Sequence, residues 1–289
     1  MSEHKQIDLH THSNMSDGSF PPAEVVRHAK ANGLTAIALT DHDSIAGVRE
    51  AMEEGERIGV EVIPAIELSA VSNTELHILG YFIDLENELL LSQLDRALKV
   101  RRNRTAETCQ ALVNLGFDVT VEEALAIAPA GLVGRAHFAK LLTEKGYTSS
   151  VKEAFDKYLS YGKPAYSNSQ CLTARECIEM IEAAGGLSFA AHLHLIKLED
   201  EPLKEFLTEL KAMGLDGIEG YYTEYTEEME NKYRNMAKEL SLAVSGGTDF
   251  HAGMKPHIKI GTGFGNMFVD YSVLTKMRNL RDKKYNFKK

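Results

Sequence analysis

Ile7-Asp8-Leu9-His10-Thr11-His12 is a short apolar run that ends in two imidazoles two residues apart. Alternate residues of a strand point the same way, so a strand here aims His10 and His12 at one cation. The same kind of ending recurs along the chain. Residues 35–40 lead into Asp41-His42-Asp43, residues 60–66 deliver Glu67, and residues 76–82 carry His77. Later, 187–191 ends at His192, and 242–245 leads to Asp249-Phe250-His251. Helical patterns alternate with these runs: one opens at Pro21-Pro22 and closes at Gly33, one that Ser44 can cap runs toward Gly59, and others span 173–184, 202–213 and 227–240. Such alternation is the mark of parallel βα units, and in β/α barrels the active site gathers at the carboxyl ends of the strands.

Residues 87–165 break the rhythm. Leu89, Leu90, Leu94, Leu98, Ala111, Leu112 and Leu115 recur at helical spacing, and 121–128, 137–145 and 151–159 add three helix candidates with no strand between them. The expectation is a helical insertion or lid at 87–165, with a discontinuous barrel domain formed by 1–86 and 166–289; the plainer alternative is a packing layer with no part in chemistry.

Bulk properties narrow the function. A chain of 289 residues that is 44% hydrophobic can build one barrel-sized core. A net charge of −10 and a pI near 5.6 argue against affinity that rests on coating duplex DNA phosphates. Cys109, Cys171 and Cys177 show no C-x-x-C spacing, so a disulfide framework or thiolate zinc site is not expected. Met1 to Gln6 lack a hydrophobic targeting core and no apolar run approaches the roughly 18 residues that span a bilayer, so the expected location is cytoplasmic.

The candidate metal ligands are His10, His12, Asp17, His42, Glu67, His77, His192, Asp249 and His251. Imidazole mixed with carboxylate suits open sites for Mn, Fe or Zn, and the set exceeds what one ion needs while keeping room for water, so two to three divalent ions are implied. Such ions lower the pKa of bridging water and stabilise charge on phosphoryl oxygens, which makes phosphate-ester hydrolysis the natural chemistry. Each residue also has an ordinary reading: Asp17 fits an Asp-Gly turn, a strand histidine can be a satisfied core residue, and Asp41 and Asp43 suit orienting or capping roles. His4, His28 and His257 fit no ligand pattern.

The chain resembles the polymerase and histidinol phosphatase (PHP) family. The resemblance is carried by Asp8-Leu9-His10-Thr11-His12, Ser16-Asp17-Gly18, Leu39-Thr40-Asp41-His42-Asp43, Pro64-Ala65-Ile66-Glu67, Leu76-His77-Ile78-Leu79-Gly80-Tyr81, Ala190-Ala191-His192 and Ser245-Gly246-Gly247-Thr248-Asp249-Phe250-His251. Gly134-Arg135-Ala136-His137 and Gly162-Lys163-Pro164-Ala165-Tyr166 make it similar to the stand-alone metal-dependent phosphoesterase branch. The resemblance implies an α/β fold, a distorted (β/α)7 barrel, with a trinuclear site. His10, His12, Glu67 and Asp249 would hold one ion, Glu67 with His77 and His192 a second, and Asp17, His42 and His251 a third. It implies attack by a metal-bridging hydroxide, with Asp249, His192 and Arg135 in catalysis and Arg135, His137 and His194 against substrate. Expected substrates are small phosphorylated metabolites, above all nucleoside 3′,5′-bisphosphates, and short RNA 5′ ends. The chain departs from the family pattern in two places: Leu193 and His194 follow His192 where proline is common, and Ala252 stands where glycine usually follows His251.

Other readings lead elsewhere. A histidinol-phosphate or general nucleoside monophosphate phosphatase shares the same core. An amidohydrolase acting on C–N bonds also uses H-x-H and a late aspartate, but no strand-borne lysine stands out for carbamylation. A non-catalytic module would not need so full a ligand set. Lys99-Val100-Arg101-Arg102-Asn103-Arg104 could guide nucleotide phosphate or form the wet face of a helix. Arg135 could be an exposed helix-end charge, and Tyr221, Tyr222 and Tyr225 could stack on a base.

Overall fold

A computed structural model describes residues 5–72, 74–128, 133–167 and 172–286; His4 and Cys171 lie outside the described residues. The apolar runs become strands and the amphipathic runs the helices that cover them. The order is β1 (Gln6–Thr11), α1 (Pro22–Ala31), β2 (Ala36–Leu39), α2 (Val48–Ile58), β3 (Glu61–Val71) and β4 (Leu76–Tyr81). A helical stretch follows: α3 (Glu88–Asn114), α4 (Val121–Ala126), α5 (Arg135–Glu144), α6 (Val151–Ala154) and a π-helical turn at Phe155–Leu159. The sheet resumes with β5 (Leu172–Thr173), α7 (Ala174–Ala183), β6 (Leu187–Ala190), α8 (Asp200–Ala212), β7 (Gly217–Tyr222), α9 (Glu227–Glu239), β8 (Ala243–Gly247), β9 (Val269–Asp270) and α10 (Ser272–Asn286).

Seven strands run side by side in the order β8-β7-β6-β4-β3-β2-β1, with β9 on the far edge of β1 and β5 on β3. The sheet curls until its ends meet. The amide of Asp249 donates to the His10 carbonyl at 2.8 Å, and that of His12 to the Phe250 carbonyl at 2.8 Å. A Cβ on Gly247 would lie 2.2 Å from the His10 nitrogen, so only glycine lets the two edges approach. This makes a nearly closed barrel.

Its distortion is β4, which lies antiparallel to both β3 and β6. A parallel pair needs a long crossover, whereas the short link from Val71 to Leu76 permits only a hairpin. The hairpin extends β3 to 11 residues, so Glu67 sits within the strand and not at its end. Another expectation fails in detail: α2 starts behind Gly47 without a side-chain cap, and Ser44 instead accepts the amide of Ala46 at 3.3 Å in the preceding turn.

The helical stretch has its own core, with Leu112, Phe138 and Leu142 fully or almost fully buried and grouped apart from the barrel clusters. Among the described residues, no helix is long and apolar enough to cross a membrane.

Candidate metal centre

The strand order brings distant imidazoles into a ring. Neighbouring ring centroids lie 5.2 Å apart for His10 and His12, 4.7 Å for His12 and His42, 5.0 Å for His42 and His77, 4.9 Å for His77 and His192, and 6.1 Å for His192 and His10. His251 stacks outside the ring on His12 at 4.1 Å. Glu67 occupies the middle. Its Oε1 lies 2.8 Å from His77 Nδ1 and 3.0 Å from His192 Nε2; its Oε2 lies 3.3 Å from the Nε2 atoms of His10 and His12 and 3.1 Å from His42 Nδ1. Asp249 Oδ1 approaches His12 Nε2 at 3.2 Å and His10 Nε2 at 3.5 Å, and Asp17 Oδ1 meets His251 Nε2 at 3.1 Å. All nine predicted ligands therefore meet in one place.

Their grouping is more shared than three separate sets. His12 clusters with Asp17, His42 and His251 as well as with His10 and Glu67, and His42 joins Glu67 and His77. The donor chemistry fits divalent ions. Nε2 of His12, Nδ1 of His42 and Nδ1 of His192 are buried without a hydrogen-bond partner, and the first two are aimed at carboxylate oxygens. A bare imidazole–carboxylate pair would align on a proton; nitrogens and oxygens converging on common points without that alignment suit a cation between them.

Electrostatics point the same way. Burial pushes the carboxyls of Asp17, Glu67 and Asp249 up, but neighbouring imidazoles, joined at Asp249 by Lys255, pull all three well below the usual range. Burial would lower His10 and His12, yet the adjacent carboxylates outweigh it and raise both, His12 to about 9. His42 stays lowered because burial prevails over Glu67 and Asp17. Buried anions that recruit protons in this way are suited to metal cations.

Supporting groups hold these side chains in place, and Glu219 is one that escaped the sequence reading. Glu219, fully buried on β7, takes His10 Nδ1 at 2.8 Å and the amide of His192 at 2.7 Å, so it orients one ring and one backbone. That amide matters because His192 sits at a φ of 28°, strained for a non-glycine residue. Leu193, where proline is usual, donates its N–H to the Tyr225 hydroxyl at 2.7 Å, which accounts for the altered loop. Asp8 accepts from the amides of Thr248 and Gly261 at 2.9 and 2.8 Å, tying β1 across the closure. Asp41 accepts from the Ser13 and Ser16 hydroxyls, each at 2.6 Å, and so holds the turn that presents Asp17. Asp43 caps nothing helical; it takes the Ser69 amide at 3.0 Å and faces Arg101 at 3.4 Å.

The helical stretch closes one side. A Cβ on Gly134, the residue before α5, would lie 3.2 Å from Arg101 Nη2 and 3.9 Å from Asp17. Arg135, the next residue, is half-buried, paired with Glu75 at 2.5 Å and lying over the Tyr166 ring at 5.1 Å, while its Nη1 is buried and unpartnered. Arg101 donates to the His42 carbonyl at 2.8 Å. Arg104 is partly buried beside it, and burial together with Arg101 lowers its pKa to about 10. His137 is turned inward, with Nδ1 accepting the amide of Gly134 at 3.0 Å, so that nitrogen is not open to phosphate. His194 sits on the opposite rim, with Nε2 3.0 Å from Glu224 and Nδ1 buried and unpartnered. Tyr221 is held by Arg234, and Tyr222 and Tyr225 are buried, so none of the three is laid open for a base.

The chain is similar to known proteins over most of its length. A 5′-3′ exoribonuclease of Haemophilus influenzae is 34% identical over 250 residues, 86% of this chain and 90% of that protein. A 3′,5′-nucleoside bisphosphate phosphatase of Chromobacterium violaceum is 30% identical over 248 residues, 85% and 87% of the two chains. A solved structure from Bifidobacterium adolescentis, described as a candidate metal-dependent phosphoesterase, superposes with a TM-score of 0.82 at 29% identity, covering 94% of this chain and 95% of its own. With the PHP-domain profile matching residues 8–260, the chain belongs to the PHP family of metal-dependent phosphoesterases.

Proposed function

We propose that this enzyme hydrolyses phosphate esters of small phosphorylated metabolites, with nucleoside 3′,5′-bisphosphates as leading substrates and short RNA 5′ ends as a larger version of the same ligand. The observation that carries the substrate class is the crowding of Arg101, Arg104 and Arg135 beside the imidazole ring, with one buried Arg135 nitrogen lacking a partner. Cations crowded together and partly withdrawn from water favour an anion, and a guanidinium suits phosphate because its planar fork donates two parallel bonds.

The nine converging residues would hold two to three divalent ions, Mn, Fe or Zn. Such ions supply a water nucleophile at neutral pH and neutralise charge on the phosphoryl oxygens. The chain's own groups do the rest. Glu67 offers one oxygen to each half of the ring, Asp249 and His192 complete the two halves, and Asp17 with His42 and His251 makes an outer set. Arg135, fixed by Glu75 and Tyr166, grips the phosphate that does not react and excludes water from that side. His194, steadied by Glu224, contacts the leaving nucleoside. His137 sets the start of α5 that carries Arg135.

The test compares kcat/KM for adenosine 3′,5′-bisphosphate and AMP in wild type and Arg135→Ala. A selective loss of roughly 1.5 to 3 kcal/mol for the bisphosphate is expected, the span of hydrogen bonds to charged groups. Equal losses would place Arg135 on the reacting phosphate. A wild-type preference for histidinol phosphate would replace this reading with that of a monophosphate phosphatase.

A further inference from the structure

The two oxygens of Asp249 have different neighbours. Oδ1 faces the imidazoles, 3.2 Å from His12 Nε2, 3.5 Å from His10 Nε2 and 3.4 Å from His251 Nδ1. Oδ2 faces away from them and is taken twice, by the Tyr222 hydroxyl at 2.8 Å and the Lys255 ammonium at 2.6 Å. Both donors are built in. Tyr222 is 4% exposed at the end of β7, and a tight 3-10 turn at Ala252–Met254 folds Lys255 back onto the residue six positions earlier. Asp249 itself sits at a φ of 57°, a left-handed conformation that a non-glycine residue keeps only when its surroundings hold it.

A carboxylate free to rotate about its last bond can present either oxygen or both to metal ions. Two donors on one edge remove that freedom. Glu67 has no such restraint: both of its oxygens face ring nitrogens. We propose that Lys255 and Tyr222 are positioning residues that clamp Asp249 Oδ2 and restrict Asp249 to metal contact through Oδ1 alone. The inference rests on reading the cluster as a metal centre, and goes beyond it by assigning how Asp249 is used and which side chains enforce this.

The experiment follows metal retention and turnover separately. Wild-type, Tyr222→Phe, Lys255→Met and Lys255→Arg proteins are loaded with Mn2+, dialysed against graded chelator, and assayed for bound equivalents, melting temperature and steady-state kinetics. Groups that orient metal ligands are typically worth about 10- to 100-fold in metal affinity or activity. The clamp predicts that Tyr222→Phe, which changes no charge, sheds one equivalent at about tenfold lower chelator than wild type, with the remaining ions retained. It predicts that Lys255→Met lowers kcat about tenfold or more with KM changed less than about twofold, and that Lys255→Arg recovers most of this. Loss of melting temperature alone, with retention and kcat intact, would show a merely structural role and overturn the clamp. Retention and kcat within about twofold of wild type in both Tyr222→Phe and Lys255→Met would overturn it as well. Wild-type protein that takes up no Mn2+ would defeat the metal reading itself, and the clamp with it.

Discussion

Glu67 and Arg135 serve the same pocket but are held by different means. Glu67 stands within a strand whose register is fixed on both sides, paired with Leu79 of β4 and bridged to His42. Arg135 stands at the first turn of a helix outside the barrel, held by one carboxylate, Glu75, and one ring, Tyr166. A ladder sets a side chain's direction through many backbone bonds, whereas a side-chain anchor can be exchanged by a few substitutions. On the proposed function, the barrel wall would keep the hydrolytic chemistry, and the helical wall would be where substrate choice can change.

The largest expected effect breaks the barrel wall. Glu67→Gln removes the charge that serves both halves of the ring, and kcat should fall by about 10³-fold, the upper range for loss of a key electrostatic group. Elemental analysis should show fewer bound ions; a Glu67→Gln enzyme with full metal and near-normal turnover would show that the wall does not depend on its central carboxylate.

A second substitution asks whether the two walls fold together. Phe138 is 1% exposed in the core of the helical stretch, and Phe138→Ala should cost about 3 to 5 kcal/mol. Because that core is separate, hydrogen exchange should speed up across α3 to α5 while the barrel keeps its ions. Metal loss in step with helix opening would mean that the walls are one cooperative unit.

A third test uses pH. Burial lowers His137 to about 4 from the usual 6.5 of an imidazole, in keeping with its Nδ1 accepting an amide that a protonated ring could not accept. The unfolded chain binds more protons between those values, so stability is complete above about pH 6.5 and declines as pH falls toward 4, by roughly 3 kcal/mol. Urea midpoints measured across that window should slope less in His137→Gln; parallel slopes would assign the acid sensitivity to other groups. The smallest effect is Arg104→Ala, expected to cost about 1 kcal/mol in kcat/KM for the bisphosphate and less for AMP. An equal loss on both substrates would remove Arg104 from substrate choice.

The nine candidate ligands were legible because imidazoles and carboxylates at strand ends are unusual enough to register as a pattern. Glu219 was not, since a glutamate after Gly217-Ile218 looks like any solvated strand residue until β7 is placed beside β6 and its side chain meets His10 of β1. Lys255 was invisible for the same reason: only the 3-10 turn brings it back to Asp249. Apolar alternation gives a strand but not its direction, so the antiparallel insertion of β4 and the extension of β3 past Glu67 emerged only from the hairpin. The last helix, α10, and the short β9 had no signal comparable to the βα repeats before them.

The closure between β8 and β1 has a consequence for how the chain assembles. Asp8 and Thr248, bonded across it, are 240 residues apart in sequence, and the candidate ligands His10 and His12 face Asp249 and His251 over the same gap. Cations gripping both sides would act as a staple between the two ends of the chain, where loop-closure entropy is greatest. Folding and metal uptake would then be thermodynamically linked, because a partner that binds only the closed form stabilises it in proportion to its concentration. Metal-starved protein would loosen first along this line, and the amides of His12 and Asp249, which span it, would be the ones to exchange with solvent earliest.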